Sequence, residues 1–211
     1  MKYPLVDISE AENTKERIML AAVKLFAAKG YAAVSVRDIA EAVNIKKASL
    51  YNHFESKEAL FIEIVETVKN VYLEFYDRVD VQINRATCFE EVLEALFAEL
   101  KEVYHMFIYY GVVLIATEQF RNEEARYVFN DVYMKIGIDY STKVFNGCVE
   151  KKWVKAFDAR GLATLFMNNV FAGSLVRVQQ DQGYEVIYDP EEMFASLQQY
   201  MLNSVEAPEG T

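Results

Sequence analysis

The chain has 211 residues, 53% of them hydrophobic and 26% charged, which excludes a disordered polypeptide and gives enough length for a packed core. Eight glycines and three prolines are too few for a turn-rich β fold and favour long helices. The net charge of −10 argues against nucleic acid when taken alone, but it is uneven. Residues 1–60 carry 9 Lys/Arg against 8 Asp/Glu, and residues 61–211 carry 13 against 24, so the acidity resides in the later part.

Two cysteines, Cys88 and Cys148, lie far apart without a CxxC pair, and read as reduced, packed thiols. No signal-peptide pattern opens the chain and no apolar run reaches bilayer length. A cytoplasmic protein without membrane partners, metal or cofactor is expected.

The first dozen residues carry no helical period and are expected to form a loose arm. A first helix is expected from Asn13, which has capping-box spacing to Glu16, through Ile18, Ala22, Leu25 and Phe26 to a stop at Gly30. Ser35 and Asp38 repeat the capping logic for a short second helix carrying Ile39 and Val43. A third runs from about Lys46 to Asn52, and Ser56 caps a long fourth through Leu60, Ile64, Val68 and Phe75. Thr87 and Glu90 open a fifth, and Gly111 lies within a sixth. Asn122 opens a seventh that Gly147 is expected to end. Asp158 caps an eighth, and Asp189-Pro190-Glu191-Glu192 opens a ninth. The last residues, from Glu206, are expected to fray.

The two short helices flank Val43-Asn44-Ile45, a turn whose Asn tolerates positive φ. With Ile39, Val43, Ile45, Leu50 and Phe54 turned inward, Lys46, Lys47, Ser49, Asn52 and His53 are left on the outer side. Lysine suits guanine or phosphate, asparagine suits adenine, and serine suits either. Tyr51 and Lys57 are placed to hold phosphates at the edges. The helix N-termini at Ser35 and Ser56 add backbone amides.

Residues Thr14 to Val65 resemble the DNA-binding domain of the TetR family. The resemblance rests on Ile18-Met19-Leu20-Ala21-Ala22, Lys29-Gly30-Tyr31, Ser35-Val36-Arg37-Asp38-Ile39-Ala40, Lys47 to Phe54, and Ser56-Lys57-Glu58-Ala59-Leu60. It covers about a quarter of the chain, and departs from the family mainly in having Asn44 where Gly is usual. It implies DNA contact by Arg37 from the second helix, and base or phosphate contact by Ser35, Lys46, Lys47, Ser49, Tyr51, Asn52, His53 and Lys57.

The resemblance implies an all-α fold of about nine helices, with a helix-turn-helix domain at 1–57 and an effector-binding and dimerisation domain at 58–211. It implies operator duplex and a small-molecule effector as partners, with candidate pocket residues Phe75, Phe97, Tyr104, Phe107, Tyr110, Leu114, Glu118, Tyr133 and Asn168. Helical stripes on the last two helices read as a homodimer interface: Leu162, Leu165, Phe166, Asn169, Gly173 and Val176, then Met193, Phe194, Leu197 and Met201. The function expected is a repressor released from DNA by its ligand. A ligand-dependent activator or a corepressor-dependent regulator fits the same sequence. An enzyme is disfavoured because no convergent acid, base and nucleophile can be assembled.

Overall fold

Apolar residues at three- and four-residue spacing, bounded by side-chain caps, give helix after helix. A computed structural model describes residues 13–103, 105–186 and 189–205. Among these the regular structure is entirely helical: α1 (Thr14–Lys29), α2 (Val36–Ala42), α3 (Lys47–Tyr51), α4 (Lys57–Ile83), α5 (Phe89–Val103), α6 (Met106–Glu118), α7 (Glu123–Tyr127), a π-helix (Val128–Ile136), α8 (Gly137–Glu150), α9 (Ala159–Asp181) and α10 (Pro190–Asn203). The segments from α7 to α8 are contiguous and answer to the seventh helix expected. It runs three residues past Gly147, because Gly147 keeps helical backbone and the stop comes at Lys152, with φ 58°. The expected arm and frayed tail lie outside the described residues. No described helix is long and apolar enough to cross a membrane.

The caps sit where the sequence puts them. The side chains of Asn13, Ser35, Ser56, Asn122, Asp158 and Asp189 each accept a backbone N–H in the first turn of a helix. At the fifth helix the partner of Thr87 is Glu91, whose carboxylate accepts the Thr87 N–H at 2.6 Å, in place of Glu90.

The chain packs as two compact units. One comprises the described residues up to Val71 together with Val103–Asn130, and the other Tyr72–Glu102 with residues from Asp131 onward. This division differs from the expected 57/58 boundary, because α1 packs against α6, far along the chain, and the first half of α4 joins the same core.

In the first unit Phe26 is fully buried, its ring edge-on to Tyr31 (5.2 Å) and to Phe61 (6.3 Å). α6 is buried on nearly every side. It can lie close to α4 because Gly111 carries no side chain: a Cβ there would stand 2.4 Å from Val68 Cγ2.

In the second unit α9 packs on both α8 and α10. Phe97 meets Phe166 at 5.6 Å and Phe194 at 6.4 Å. The residues expected at a dimer interface thus belong largely to this core. Leu162, Phe166, Gly173, Val176, Phe194, Leu197 and Met201 are buried within one chain, while Leu165, Asn169 and Met193 are half-buried. Gly173 does permit a close helix approach, but of α10 of the same chain, since a Cβ would come 2.8 Å from Phe194 and 2.9 Å from Met193. The apolar stripe marks an inward face, and its partner is internal.

The turn between α2 and α3 depends on Asn44, at φ 55°. Ile45 N–H donates to the Ala40 carbonyl at 2.9 Å and closes it. A β-branched residue is strained there, so Asn44→Val is expected to lower stability by about 1–2 kcal/mol, read as a shift in urea midpoint at constant slope.

Candidate nucleic-acid interface

The second and third helices are short, so tertiary anchors must hold them. Ser35 and Asp38 form a reciprocal box: Ser35 N–H donates to Asp38 Oδ2 at 2.7 Å, and Asp38 N–H donates to Ser35 Oγ at 3.2 Å. These bonds hold the Asp38 carboxyl below its usual range. Arg17 on α1 donates to the Val43 carbonyl at 3.2 Å, tying the turn to the first helix. Leu50 and Phe54 are buried and fix the rotation of α3, while Lys15 lies over the Phe54 ring at 5.4 Å.

With that rotation fixed, Lys46, Lys47, Tyr51, Asn52 and His53 are exposed together, and Ser49 is half-buried beside them. Lys47 Nζ stands 5.8 Å from the centre of the Tyr51 ring, a cation–π contact that leaves both free to face outward. Lys46 takes the N-cap position of α3 without a side-chain cap, so the first amides of that helix are available to an acceptor. The spacing left Lys46, Lys47, Ser49, Asn52 and His53 on the outer side, and of these all but Ser49 are exposed.

Three predicted contacts are placed differently. Lys57 directs its ammonium inward: Nζ donates to the carbonyls of Tyr31 (2.7 Å) and Val34 (2.8 Å) and lies 4.1 Å from the Tyr31 ring centre. It fastens the α1–α2 turn to the start of α4 and is not held out for phosphate. Ser35 spends its hydroxyl hydrogen on Asp38 Oδ2 at 2.7 Å, leaving backbone amides as what α2 offers there. Arg37 is exposed but pairs with Glu41 at 2.7 Å, one helical turn away. An exposed pair of this kind is weak, so Arg37 can exchange Glu41 for a phosphate at little cost.

The predicted pocket residues divide between the two units. Phe107, Tyr110, Leu114 and Glu118 are buried in the first, with Lys24 Nζ over Tyr110 at 5.4 Å. Phe75, Phe97 and Tyr133 are buried in the second, where Tyr133 meets Tyr72 at 4.8 Å. Asn168 is exposed on α9 and lines no interior wall of its unit. Tyr104 lies outside the described residues.

Glu118 has a structural partner. At the end of α6, its Oε1 accepts the Tyr31 N–H at 3.0 Å while the residue is 6% exposed. Gly30, at φ 81°, makes the turn that immediately precedes the Tyr31 amide. Together Glu118, Tyr31 and Lys57 form a relay from the end of α6 to the start of α4. Neither Glu118 nor Lys57 could be assigned this role from spacing, because the partners are 87 and 26 residues away. Glu118→Leu leaves the Tyr31 amide without its acceptor and is expected to cost about 1–3 kcal/mol in urea unfolding. Glu118→Gln, which keeps a carbonyl oxygen, is expected to lose less than half of that.

Similarity to known proteins falls on the same residues. The family model described as bacterial regulatory proteins, tetR family, matches residues 18–64. The negative transcriptional regulator IcaR of the biofilm operon icaADBC in Staphylococcus epidermidis is 43% identical over 61 residues, 29% of this chain and 33% of that one. The chain therefore aligns with only about a third of that relative's length.

The solved fold extends further. The ketosteroid transcriptional regulator KstR2 of Mycobacterium tuberculosis superposes with a TM-score of 0.67 at 21% identity, over 93% of this chain and 97% of that one. AibR, in complex with isovaleryl coenzyme A and operator DNA, gives 0.62 at 17% identity, over 89% and 97%. Residues 18–64 thus match the tetR family of bacterial regulatory proteins in sequence, and the helical fold of KstR2 and AibR is shared through most of the chain.

Proposed function

We propose that the protein is a sequence-specific DNA-binding transcriptional regulator, a repressor that a small molecule releases from its operator. The observation that carries this is the single exposed surface of Lys46, Lys47, Tyr51, Asn52 and His53 around α3. In the helix-turn-helix mode, the N-terminal part of such a helix meets base edges while neighbouring groups hold phosphates. Lys46, Lys47, Ser49 and Asn52 take the bases and nearby phosphates. Tyr51, His53, Arg37 and the α2 amides at Ser35 take the backbone.

The acidic later part does not oppose this, since charges beyond a Debye length of roughly 8 Å are largely screened at physiological salt. We assign DNA reading to 1–57, and effector binding and dimerisation to 58–211, without enzymatic chemistry. That AibR is solved with both a coenzyme A thioester and operator DNA supports a ligand-controlled role for the fold. The relay from Glu118 through Tyr31 to Lys57 gives such control a physical route from α6 to the reading helices. A ligand shifts affinity only if it prefers one setting of that route.

Dimerisation would pair two half-sites. Because the buried stripe is spent inside the chain, the outer face of α9 and α10 is the better candidate surface. It presents Leu165, Asn168, Ala172 and Leu175 at helical spacing, with Tyr200 56% exposed on α10. Leu175→Glu with Tyr200→Glu is expected to give monomers in analytical ultracentrifugation, with unchanged helical circular dichroism.

The decisive experiment is selection from a random duplex pool at physiological salt, followed by binding measurements on the enriched sequence and a scrambled one. Enrichment of a two-fold symmetric site is expected. Equal binding to both duplexes would sink the reading.

A further inference from the structure

A cleft of about 210 Å³ opens within the second unit, away from every residue assigned above. Its walls come from the last turn of α4, from α5, and from one face of α8, where Tyr140, Lys143, Gly147 and Lys151 recur at helical spacing. The floor is apolar, made by Val92, Val144 and Cys148. Burial pushes the Cys148 thiol up to about 11, so the floor stays uncharged at neutral pH.

Along the α8 wall, Tyr140 donates to Asp80 Oδ1 at 2.7 Å, so that carboxylate is already engaged. Lys143 stands one turn further on and Lys151 two turns beyond that, both exposed. Lys151 Nζ lies 4.3 Å from the centre of the Trp153 ring, and that half-buried ring forms the rim.

The position of Trp153 is set by backbone geometry. Lys152 takes a left-handed conformation, φ 58°, that a lysine adopts only at a cost. Trp153 N–H then donates to the Cys148 carbonyl and Lys152 N–H to the Val149 carbonyl, each at 3.0 Å. That closure swings the indole back along the cleft. Gly147 keeps the middle empty: a Cβ there would meet nothing within 4 Å.

We propose that this cleft binds a small organic anion, its carboxylate drawn by the exposed lysines of the α8 wall, Lys143 and Lys151, and its apolar body lying on Trp153 and the space in front of Gly147. Lysines supply point charges for the anion, and the flat indole with the apolar floor takes the remainder. The site is separate from the DNA-reading surface, and the proposal does not depend on that reading.

Trp153 is the sole tryptophan, so its emission reports directly on the cleft. Benzoate, phenylacetate and hexanoate are titrated into the full chain, each against its amide. At least one carboxylate is expected to give a saturable change, with its amide binding at least tenfold more weakly. Lys143→Gln with Lys151→Gln is expected to erase that preference. Gly147→Leu fills the cleft from the α8 wall, where a Cβ meets nothing within 4 Å, and is expected to abolish the response while leaving the thermal melt unchanged. The proposal is overturned if no carboxylate saturates, if acid and amide bind alike, or if Gly147→Leu binds as tightly as the parent.

Discussion

Alanine at both Lys46 and Lys47 is expected to weaken binding to the selected operator by about a hundredfold, and to lower the slope of log affinity against log salt by about two per half-site. Both lysines are exposed, and neither is drawn to a carboxylate as Arg37 is to Glu41. Each can therefore displace counterions on the duplex. The measurement is fluorescence anisotropy across a salt series on the enriched and the scrambled duplex. A uniform loss on both duplexes assigns the lysines to phosphates, and a loss confined to the enriched one assigns at least one of them to a base. Unchanged affinity on either variant would remove the interface from α3. The fold should survive, because Leu50 and Phe54, not the lysines, hold α3 in place.

The second large effect is on stability against acid. His105 is 8% exposed at the start of α6, the helix buried on nearly every side, and burial lowers its pKa to about 4. Its N-cap position adds to this, since the positive end of the helix dipole opposes an imidazolium. In the unfolded chain His105 titrates near 6.5. Between those values the unfolded chain binds a proton that the native protein refuses. Stability is thus fully present above about pH 6.5 and is lost as the pH falls toward 4, by up to about 3 kcal/mol. Urea unfolding from pH 7 to 4 on the parent and on His105→Gln checks it. The parent's decline should be the steeper by one proton, and parallel curves would show that His105 titrates normally when folded.

What could be read from the sequence was local. Ser35 with Asp38, Asn44, Gly30 and the Leu50–Phe54 pair each act within a few residues, and each signal is intrinsic to its own segment. That is why the exposed side of α3 could be expected from spacing alone. The dimer stripe shows the limit. Periodicity at Phe166, Gly173 and Phe194 states that a face is covered, but Phe97, which covers it, is set by tertiary packing. Glu118 and Lys57 show the same limit for polar groups. A carboxylate that caps a backbone amide 87 residues away has no spacing to betray it. The cleft was invisible for a related reason, since its shape depends on one left-handed lysine placing Trp153.

The π-helix Val128–Ile136 has a bearing on how this chain can change length. The packing boundary falls inside it, at Asn130 and Asp131, with Ala125 and Val128 buried on one side and Phe145 and Cys148 on the other. A residue added to or removed from a regular helix turns everything beyond it by about 100°. The wide turns here are where such a rotation is taken up while the helix runs unbroken from α7 into α8. Losing a single residue from 128–136 would tighten the rod and roll Phe145 and Cys148 away from their neighbours. Indels in relatives sharing this device should therefore spare the π segment, even though most of its side chains could be exchanged for others.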